Sequence, residues 1–262
     1  GYALKFAAAA LRADREVVMA AVQACHGRAL EFAAPALQAD REMAMAAVRK
    51  CGSSLEFLPQ ALRADRQVVL EAVRSDAESL QFAAPALRAD RDVVRAAIWS
   101  DLESQPQDDA DEFDDGPWPF HESVLVAAAP AMRADRGVML EAIIAQPGAF
   151  RLAAAGLLRD TAFVHEALRW NGTALQHAPP RIRADRDAVL VAVRQDWRAL
   201  EHAAAGVRAD REVVMAAVRQ DGEALRFAAP PLKADRETVF EAVRHGGHAL
   251  RHAQRALQGD PE

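Results

Sequence analysis

The sequence predicts an all-α protein: a right-handed α-solenoid of about ten helix–turn–helix repeats of about 25 residues each, with one acidic loop insertion. Two observations lead to this fold class. An Ala-Asp-Arg triplet recurs along most of the chain, and each copy precedes apolar residues with the spacing of an amphipathic helix. The helical stretches are too short to be stable alone in water, so neighbouring repeats must stack to bury their apolar faces.

The repeat is defined by an aligned aspartate. Successive aligned aspartates lie 25 residues apart, except for a first interval of 26 residues and one interval of 45 residues. The long interval marks an insertion inside an otherwise regular array. The aligned aspartates are Asp14, Asp40, Asp65, Asp90, Asp135, Asp160, Asp185, Asp210, Asp235 and Asp260.

Each aligned aspartate is predicted to cap the first helix of its repeat, because its carboxylate can accept hydrogen bonds from unpaired first-turn amides. A mostly β-branched residue stands four positions later, an alanine seven and an aliphatic residue eight, all on one helical face. The alanine column predicts close approach of neighbouring helices. Its members are Ala21, Ala47, Ala72, Ala97, Ala142, Ala167, Ala192, Ala217 and Ala242.

The first helix is expected to end at pairs such as Asn171-Gly172, Asp221-Gly222 or Gly246-Gly247, which are suited to a left-handed cap. A second, shorter apolar stretch with helical spacing follows. Prolines late in this stretch are expected to end it or to tighten its last turn toward 3₁₀ geometry, and the choice between α and 3₁₀ stays open. These prolines are Pro35, Pro85, Pro130, Pro180 and Pro230.

The segment "ADREVVMAAVRQDGEALRFAAPPLKADRETVFEAVRHGGHAL" resembles a tandem of the repeat family known as domain of unknown function 4116. The resemblance covers the chain except residues 105–124, and it is weakest after Phe150, where Thr161 and His165 depart from the pattern. It implies a helical-repeat fold and an interaction role, and it implies no catalytic residue. Repeats of this family also occur in bacterial effectors.

Composition narrows the function classes. The net charge of −6 and a pI near 5.8 disfavour a general nucleic-acid binder, although some helical-repeat proteins read RNA. No stretch of about 20 apolar residues predicts a membrane span, while a membrane-complex partner stays open. Two cysteines do not form a disulfide framework. The compartment is unassigned, with an intracellular or organellar location favoured over secretion.

An arginine follows most of the aligned aspartates, at a position where the helix dipole disfavours a cation. One interpretation is a ladder of ion pairs with the caps or with acids such as Glu42, Asp92 and Glu212. The other is a row of arginine side chains that binds an acidic partner or phosphates. Net acidity favours the ladder. These arginines are Arg15, Arg41, Arg66, Arg91, Arg136, Arg186, Arg211 and Arg236.

His177, His202 and His252 share one column, and Cys25 and Cys51 share another. Repeats stacked about 8–10 Å apart keep column neighbours too far from each other for a shared zinc ion or a disulfide. No nucleophile–base pair, phosphate loop or metal-binding motif is evident in the sequence. We therefore predict no catalytic residue, no metal site and no cofactor.

The chain divides into repeats over 1–104, an acidic-aromatic insertion over 105–124, and repeats of the same array over 125–262. The insertion combines acids with large apolar residues, so it is expected to contact a basic surface of another protein. Trp residues near the interhelix turns are expected to add apolar anchors. The predicted partner-binding residues are Asp108, Asp109, Asp111, Glu112, Phe113, Asp114, Asp115, Trp118, Phe120, Trp99, Trp170 and Trp197.

These observations favour a non-enzymatic scaffold or a peripheral structural subunit of a larger assembly, which binds other proteins through solenoid faces and the insertion. One alternative is RNA binding along the arginine rows. It is disfavoured because the equivalent positions of the repeats are mostly Ala and Val rather than polar reading positions. The other alternative is an accessory domain of a bacterial effector.

Overall fold

A computed structural model describes residues 2–24, 28–103 and 123–254, and within these ranges every regular element is a helix. The chain forms two compact units, Gly1–Glu141 and Ala142–Glu262, called unit 1 and unit 2. In each unit the main contacts join elements of the same or adjacent repeats. The protein is therefore an all-α solenoid, as the sequence predicts.

Each described repeat contains one long α-helix that begins directly after its aligned aspartate, which confirms the predicted helix starts. The side chain of every described aligned aspartate accepts a hydrogen bond from one or two first-turn amides, as Asp65 does from Gln67 and Val68. The long helices are α1 (Arg15–Ala24), α2 (Arg41–Lys50), α3 (Arg66–Ser75), α4 (Arg91–Glu103), α5 (Arg136–Ala145), α6 (Thr161–Trp170), α7 (Arg186–Gln195), α8 (Arg211–Val218) and α9 (Arg236–His245).

The alanine column lies between neighbouring long helices. In unit 1, α1 packs on α2, α2 on α3, and α3 on α4; in unit 2, α6 packs on α7, α7 on α8, and α8 on α9. Ala47, Ala72, Ala97, Ala192 and Ala217 have no exposed surface. A larger side chain at these positions would push the helices apart, so the predicted close approach is confirmed.

The second element of most repeats is a 3₁₀-helix, which settles the alternative left open by the sequence. Its leucine enters the core in most repeats, as Leu55, Leu80 and Leu175 show. One repeat uses a short α-helix instead, Ser123–Ala127. The 3₁₀-helices are Tyr2–Phe6, Arg28–Phe32, Gly52–Phe57, Ala77–Phe82, Pro147–Leu152, Gly172–His177, Trp197–His202, Gly222–Phe227 and Gly247–His252.

The expectation that proline ends the second element was wrong, because proline begins a third element. Ala34 before Pro35 is extended, and Pro35 is the first residue of a one-turn helix. Proline disfavours helical geometry in the preceding residue, and its fixed φ and missing N–H suit a helix start. The one-turn elements are Ala9–Arg12, Pro35–Gln38, Gln60–Arg63, Pro85–Arg88, Pro130–Ala134, Ala155–Arg159, Pro180–Arg183, Val207–Ala209 and Pro230–Lys233.

The predicted left-handed caps were also wrong. Asn171, Asp221 and Gly246 are extended, with φ of −145°, −151° and −172°. The glycines that follow two of them serve a close approach instead. A Cβ on Gly172 would lie 2.5 Å from the carbonyl oxygen of Ala192, and a Cβ on Gly222 would lie 2.1 Å from that of Ala242.

A backbone hydrogen bond recurs between consecutive repeats. The acceptor is the carbonyl oxygen of the residue two positions before an aligned aspartate. The donor is the backbone amide of the residue six positions before the next aligned aspartate, and the N–O distance is 2.8–2.9 Å. We call this contact the repeat bond. It joins Arg12 to Ala34, Arg63 to Ala84, Arg88 to Ala129, Arg183 to Ala204, Arg208 to Ala229, and Lys233 to Gln254.

The repeats on the two sides of the insertion are direct neighbours in unit 1. The Arg88 carbonyl accepts from Ala129, and the Arg88 Nε donates to the Ala127 carbonyl over 2.6 Å. The repeat resumes before the predicted boundary at residue 125, since Val124 is 3% exposed and lies in the core. The insertion therefore leaves the stacking of these repeats intact.

Candidate interaction surface

The arginines that follow the aligned aspartates form a ladder between repeats, which confirms the favoured interpretation. Each paired arginine reaches the cap aspartate of the next repeat. The Nε–Oδ2 distance is 2.8 Å for Arg41 and Asp65, and 2.9 Å for Arg186 and Asp210. In the same repeats Asp65 and Asp210 use Oδ1 to cap their own helices, so one carboxylate stabilises a helix start and a repeat interface.

Several ladder arginines also bind the residue two positions beyond the cap. Arg66 donates to Asp92 over 2.7 Å, Arg41 donates to Gln67 over 2.7 Å, and Arg211 pairs with Glu237. The guanidinium groups are then engaged by the protein's own oxygen atoms. The ladder arginines therefore have few guanidinium nitrogens left to bind phosphates or an acidic partner.

A second ladder joins the C-terminal halves of the long helices. Arg49 pairs with Glu71 over 3.0 Å, and Arg219 pairs with Glu241 over 3.2 Å. The first pair crosses from α2 to α3, and the second joins the C-cap residue of α8 to α9. Charged side chains along this edge therefore also stabilise stacking.

The cap carboxylates are held in their charged form. The hydrogen bond from Arg41 lowers the pKa of Asp65, with further help from the Val68 and Gln67 amides. The hydroxyl of Thr238 lowers the pKa of Asp235, together with the Thr238 amide. A hydrogen bond to a carboxylate favours its ionised form, so these caps remain charged well into the acid range.

The three predicted tryptophan anchors differ in their surroundings. Trp99 is 39% exposed, and its Nε1 donates to Glu141 over 3.1 Å. Trp170 is 62% exposed at the C-terminal end of α6. Trp197 is half-buried, tilted against the ring of Phe227 at 6.2 Å, and covered by the Arg198 guanidinium at 4.9 Å. Trp170 presents the largest free surface of the three.

The predicted anchors in the insertion lie outside the described residues. They are Asp108, Asp109, Asp111, Glu112, Phe113, Asp114, Asp115, Trp118 and Phe120.

The histidine column is packed between repeats. Burial lowers the pKa of His177, helped by Arg151 and His202, and burial also lowers the pKa of His202. His252 lies 2.9 Å from a Glu223 carboxylate oxygen. Cys51 carries a free thiol 3.0 Å from the Ser53 hydroxyl, and Cys25 lies outside the described residues. Over residues 2–24, 28–103 and 123–254, no group of His, Cys, Asp and Glu side chains is arranged to hold a metal ion.

Comparison with known families decides the classification. The family described as Domain of unknown function (DUF4116) matches five times in tandem, over residues 14–63, 40–88, 65–98, 160–204 and 210–258. The chain belongs to the DUF4116 family. The search of curated proteins and the search of solved structures gave no significant match. No helix in the described parts of the chain is long and apolar enough to cross a membrane.

The sequence prediction missed one feature of these DUF4116 repeats. Most of them contain the motif Arg-Ala-Asp-Arg, in which the second arginine belongs to the ladder. The first cation stands two residues before the cap aspartate, is half-buried, and forms no ion pair among the described residues. The recurrence of this first arginine in the sequence could have indicated that the position is distinct from the ladder. These first cations are Arg12, Arg63, Arg88, Arg133, Arg183, Arg208 and Lys233.

Proposed function

We propose that this DUF4116 chain is a non-enzymatic protein-interaction module, a scaffold or peripheral subunit that binds other proteins through the faces of its solenoid repeats. The proposal is carried by the exposure of Trp170. A large aromatic side chain on a solvent-exposed helix end is typical of residues that become buried in a complex.

Among the described residues, Trp170 has no hydrogen bond or ring contact that accounts for its position. Its indole Nε1 makes no hydrogen bond within residues 123–254, whereas the Nε1 of Trp99 donates to Glu141. The neighbouring Arg169 is also exposed. Trp and Arg are the residue types most enriched at the energetic centre of protein interfaces, and together they form a patch suited to a protein partner.

The polar residues support a binding role more than a chemical one. The aspartates with shifted pKa values cap helices and bind arginines of the preceding repeat. Their shifts therefore have a structural cause within the array. The insertion remains a predicted second contact for a partner with a basic surface.

Photo-crosslinking at residue 170 tests this function. The full chain is prepared with a benzoylphenylalanine in place of Trp170, and a control chain carries it in place of the exposed Glu201 in another repeat of unit 2. We expect discrete crosslinked proteins from the source lysate at position 170 and not at 201. Excess parent chain should compete, and Trp170→Ala should compete poorly.

The proposal would be contradicted if position 170 gave no crosslink. It would also be contradicted if both positions gave the same products, since these would then report only abundant proteins that touch the surface at random.

A further inference from the structure

The first cation of the Arg-Ala-Asp-Arg motif forms a row in each unit. In unit 2 the row contains Arg183, Arg208 and Lys233, in three successive repeats with no gap in the described residues. In unit 1 the equivalent positions are held by Arg63, Arg88 and Arg133. We call each set a cation row.

The cation row is fixed by the backbone and by burial of the side-chain stems. Each of the three residues in unit 2 accepts a repeat bond, from Ala204, Ala229 and Gln254. The Nε atoms of Arg183 and Arg208 are buried without a hydrogen-bond partner in the described residues, while each side chain as a whole is only half-buried. A guanidinium held in this way loses little conformational freedom when it binds a ligand.

The row has no compensating carboxylate among residues 142–254. Burial and the neighbouring Arg208 lower the pKa of Lys233. The pKa of His202 is lowered mainly by burial, and the positive charge of Arg183 lowers it further. Within residues 142–254 the Lys233 Nζ donates only to the Arg226 carbonyl. By contrast, Arg186 and Arg211, three residues further along each motif, pair with acids of the next repeat. Like charges are thus placed side by side in a chain whose net charge is −6.

We propose that the cation row of each unit binds an extended acidic polypeptide segment, with one carboxylate side chain for each repeat. The spacing supports this ligand. Neighbouring helices pack about 8–10 Å apart. A polyproline II strand rises about 9 Å over three residues and presents every third side chain on the same side. An acid at every third residue therefore meets one cation in each repeat, and the terminal guanidinium nitrogens bind its two oxygens in parallel.

The surroundings favour a peptide over a single-stranded nucleic acid. Nucleic-acid grooves alternate cations with exposed aromatic planes on which bases stack. Beside the cation row of unit 2 the exposed neighbours include Ala184, Ala209 and Pro231, whereas the nearby rings of His202 and Phe227 are half-buried rather than exposed. A net negative protein also repels a polyanion at long range.

This inference rests on the proposed protein-binding function, and fluorescence anisotropy with defined probes tests it. The probe is a labelled peptide of repeating Glu-Pro-Ala triplets. Comparison probes are a peptide of the same composition with its glutamates clustered, a Gln-Pro-Ala peptide and oligouridylate. Because unit 1 has its own row, the variants are made in a full chain that carries Arg63→Gln, Arg88→Gln and Arg133→Gln. Glutamine already stands at the same position in the repeat of Gln38.

The decisive comparison is Arg208→Gln against Arg211→Gln, which remove the same charge three residues apart. We expect Arg208→Gln to weaken binding of the spaced peptide roughly tenfold or more, the loss of one charge-assisted contact. Arg211→Gln should change the affinity less than about twofold, since that side chain is engaged in the ladder. The clustered and uncharged peptides should bind more weakly, and circular dichroism should show that both variants are folded.

Several results would overturn the inference. They are undetectable binding of the spaced peptide at about 1 mM, equal losses from the two variants, equal affinity for the spaced and clustered peptides, or binding of oligouridylate alone. A failure here together with a specific crosslink at residue 170 would reject the cation row and leave the protein-binding function standing. Failure of both would reject both.

Discussion

The aligned aspartate is the residue on which each repeat interface depends most directly. In Asp65 and Asp210, Oδ1 receives amides of the helix that follows and Oδ2 receives the arginine of the preceding repeat. The two interactions differ in their requirements. The cap needs only an oxygen acceptor, whereas the ladder needs an acceptor on both sides of the side chain.

Substitutions at Asp65 can separate these two interactions. Asp65→Asn should keep the cap and lose the ladder contact, because the amide nitrogen cannot accept from Arg41. Asp65→Ala should lose both and cost about 1 kcal/mol for the cap alone. Urea denaturation of the parent and both variants measures the difference. Equal stabilities of the Asn and Ala variants would show that the cap contributes nothing.

The buried histidines predict a loss of stability in mildly acidic solution. Burial is the main cause that lowers the pKa of His177 and His202 below the value of 6.5 that an unfolded chain has. The folded state then binds fewer protons, so stability is highest above pH 6.5 and falls as the pH decreases below it. The cap aspartates affect stability only in more acidic solution. Their pKa values in the folded protein lie below 3.8, so the stability that they contribute is lost only as the pH falls below that value.

A variant isolates the histidine effect. Phenylalanine stands at the same column position in the next repeat, as Phe227, so His202→Phe should fold normally. Its stability should fall less than that of the parent between pH 8 and pH 5, as measured by denaturation at each pH. Identical pH profiles would mean that His202 does not contribute to the pH dependence.

At the scale of the element, the turn between the long helix and the 3₁₀-helix determines how closely repeats approach. Gly222 lies against the Ala242 carbonyl, and Gly52 and Gly172 lie against equivalent carbonyls. Gly247, at the same position one repeat later, has no heavy atom near the place of a Cβ. At Gly52, Gly172 and Gly222 the limit on side-chain size therefore comes from the next repeat, whereas the same position in two other repeats holds Ala77 and Trp197.

This pair of glycines gives a matched experiment. Gly222→Ala should place a methyl group against backbone, force the two repeats apart, and cost about 1–3 kcal/mol. Gly247→Ala should be nearly neutral, since its site is open. Chemical denaturation of both variants measures the contrast, and comparable losses at the two positions would show that the close approach is not the cause.

At the scale of the whole chain, a regular array tolerates the insertion because the repeats on its two sides contact each other directly. Arg91 pairs with Asp135 over 3.2 Å, and Arg95 pairs with Glu141 over 2.8 Å. These are the ladder contacts expected of adjacent repeats. The flanking repeats are therefore joined by the same kind of contacts as other adjacent repeats.

Because the repeat resumes with the helix Ser123–Ala127, the 20 residues to delete are 102–121, which include the last two residues of α4. This deletion should restore the 25-residue period and leave the fold intact. The helical circular dichroism signal per residue should not fall, and the melting temperature should remain close to that of the parent. A deletion variant that fails to fold would mean that the insertion stabilises the repeats. If the insertion contacts a basic partner, capture of that partner should weaken in the same variant and should decrease with salt in the parent.

The sequence was sufficient for features that belong to a single repeat or to its period. Capping by Asp65, burial of Ala97 and the 25-residue interval follow from local chemistry and from repetition. The 3₁₀ geometry of Gly222–Phe227 did not, since α and 3₁₀ turns share the spacing of i and i+3. The different environments of Arg208 and Arg211 were also hidden, because they depend on which groups the next repeat brings near.

The repeat bond has a consequence for how the array comes apart. Residues 59 and 179 occupy the position that donates it, and both are proline, which has no amide hydrogen to give. In a stack where each repeat is coupled only to its neighbours, the unfolding free energy is the sum of repeat terms and coupling terms. At Pro179 the Arg181 side chain donates to the Leu158 carbonyl in place of the missing amide, whereas the coupling at Pro59 lacks one contribution that six others have. Cooperative unfolding should therefore divide first between the repeats joined at Pro59, and amide exchange by local opening should spread outward from there before the remaining repeats separate.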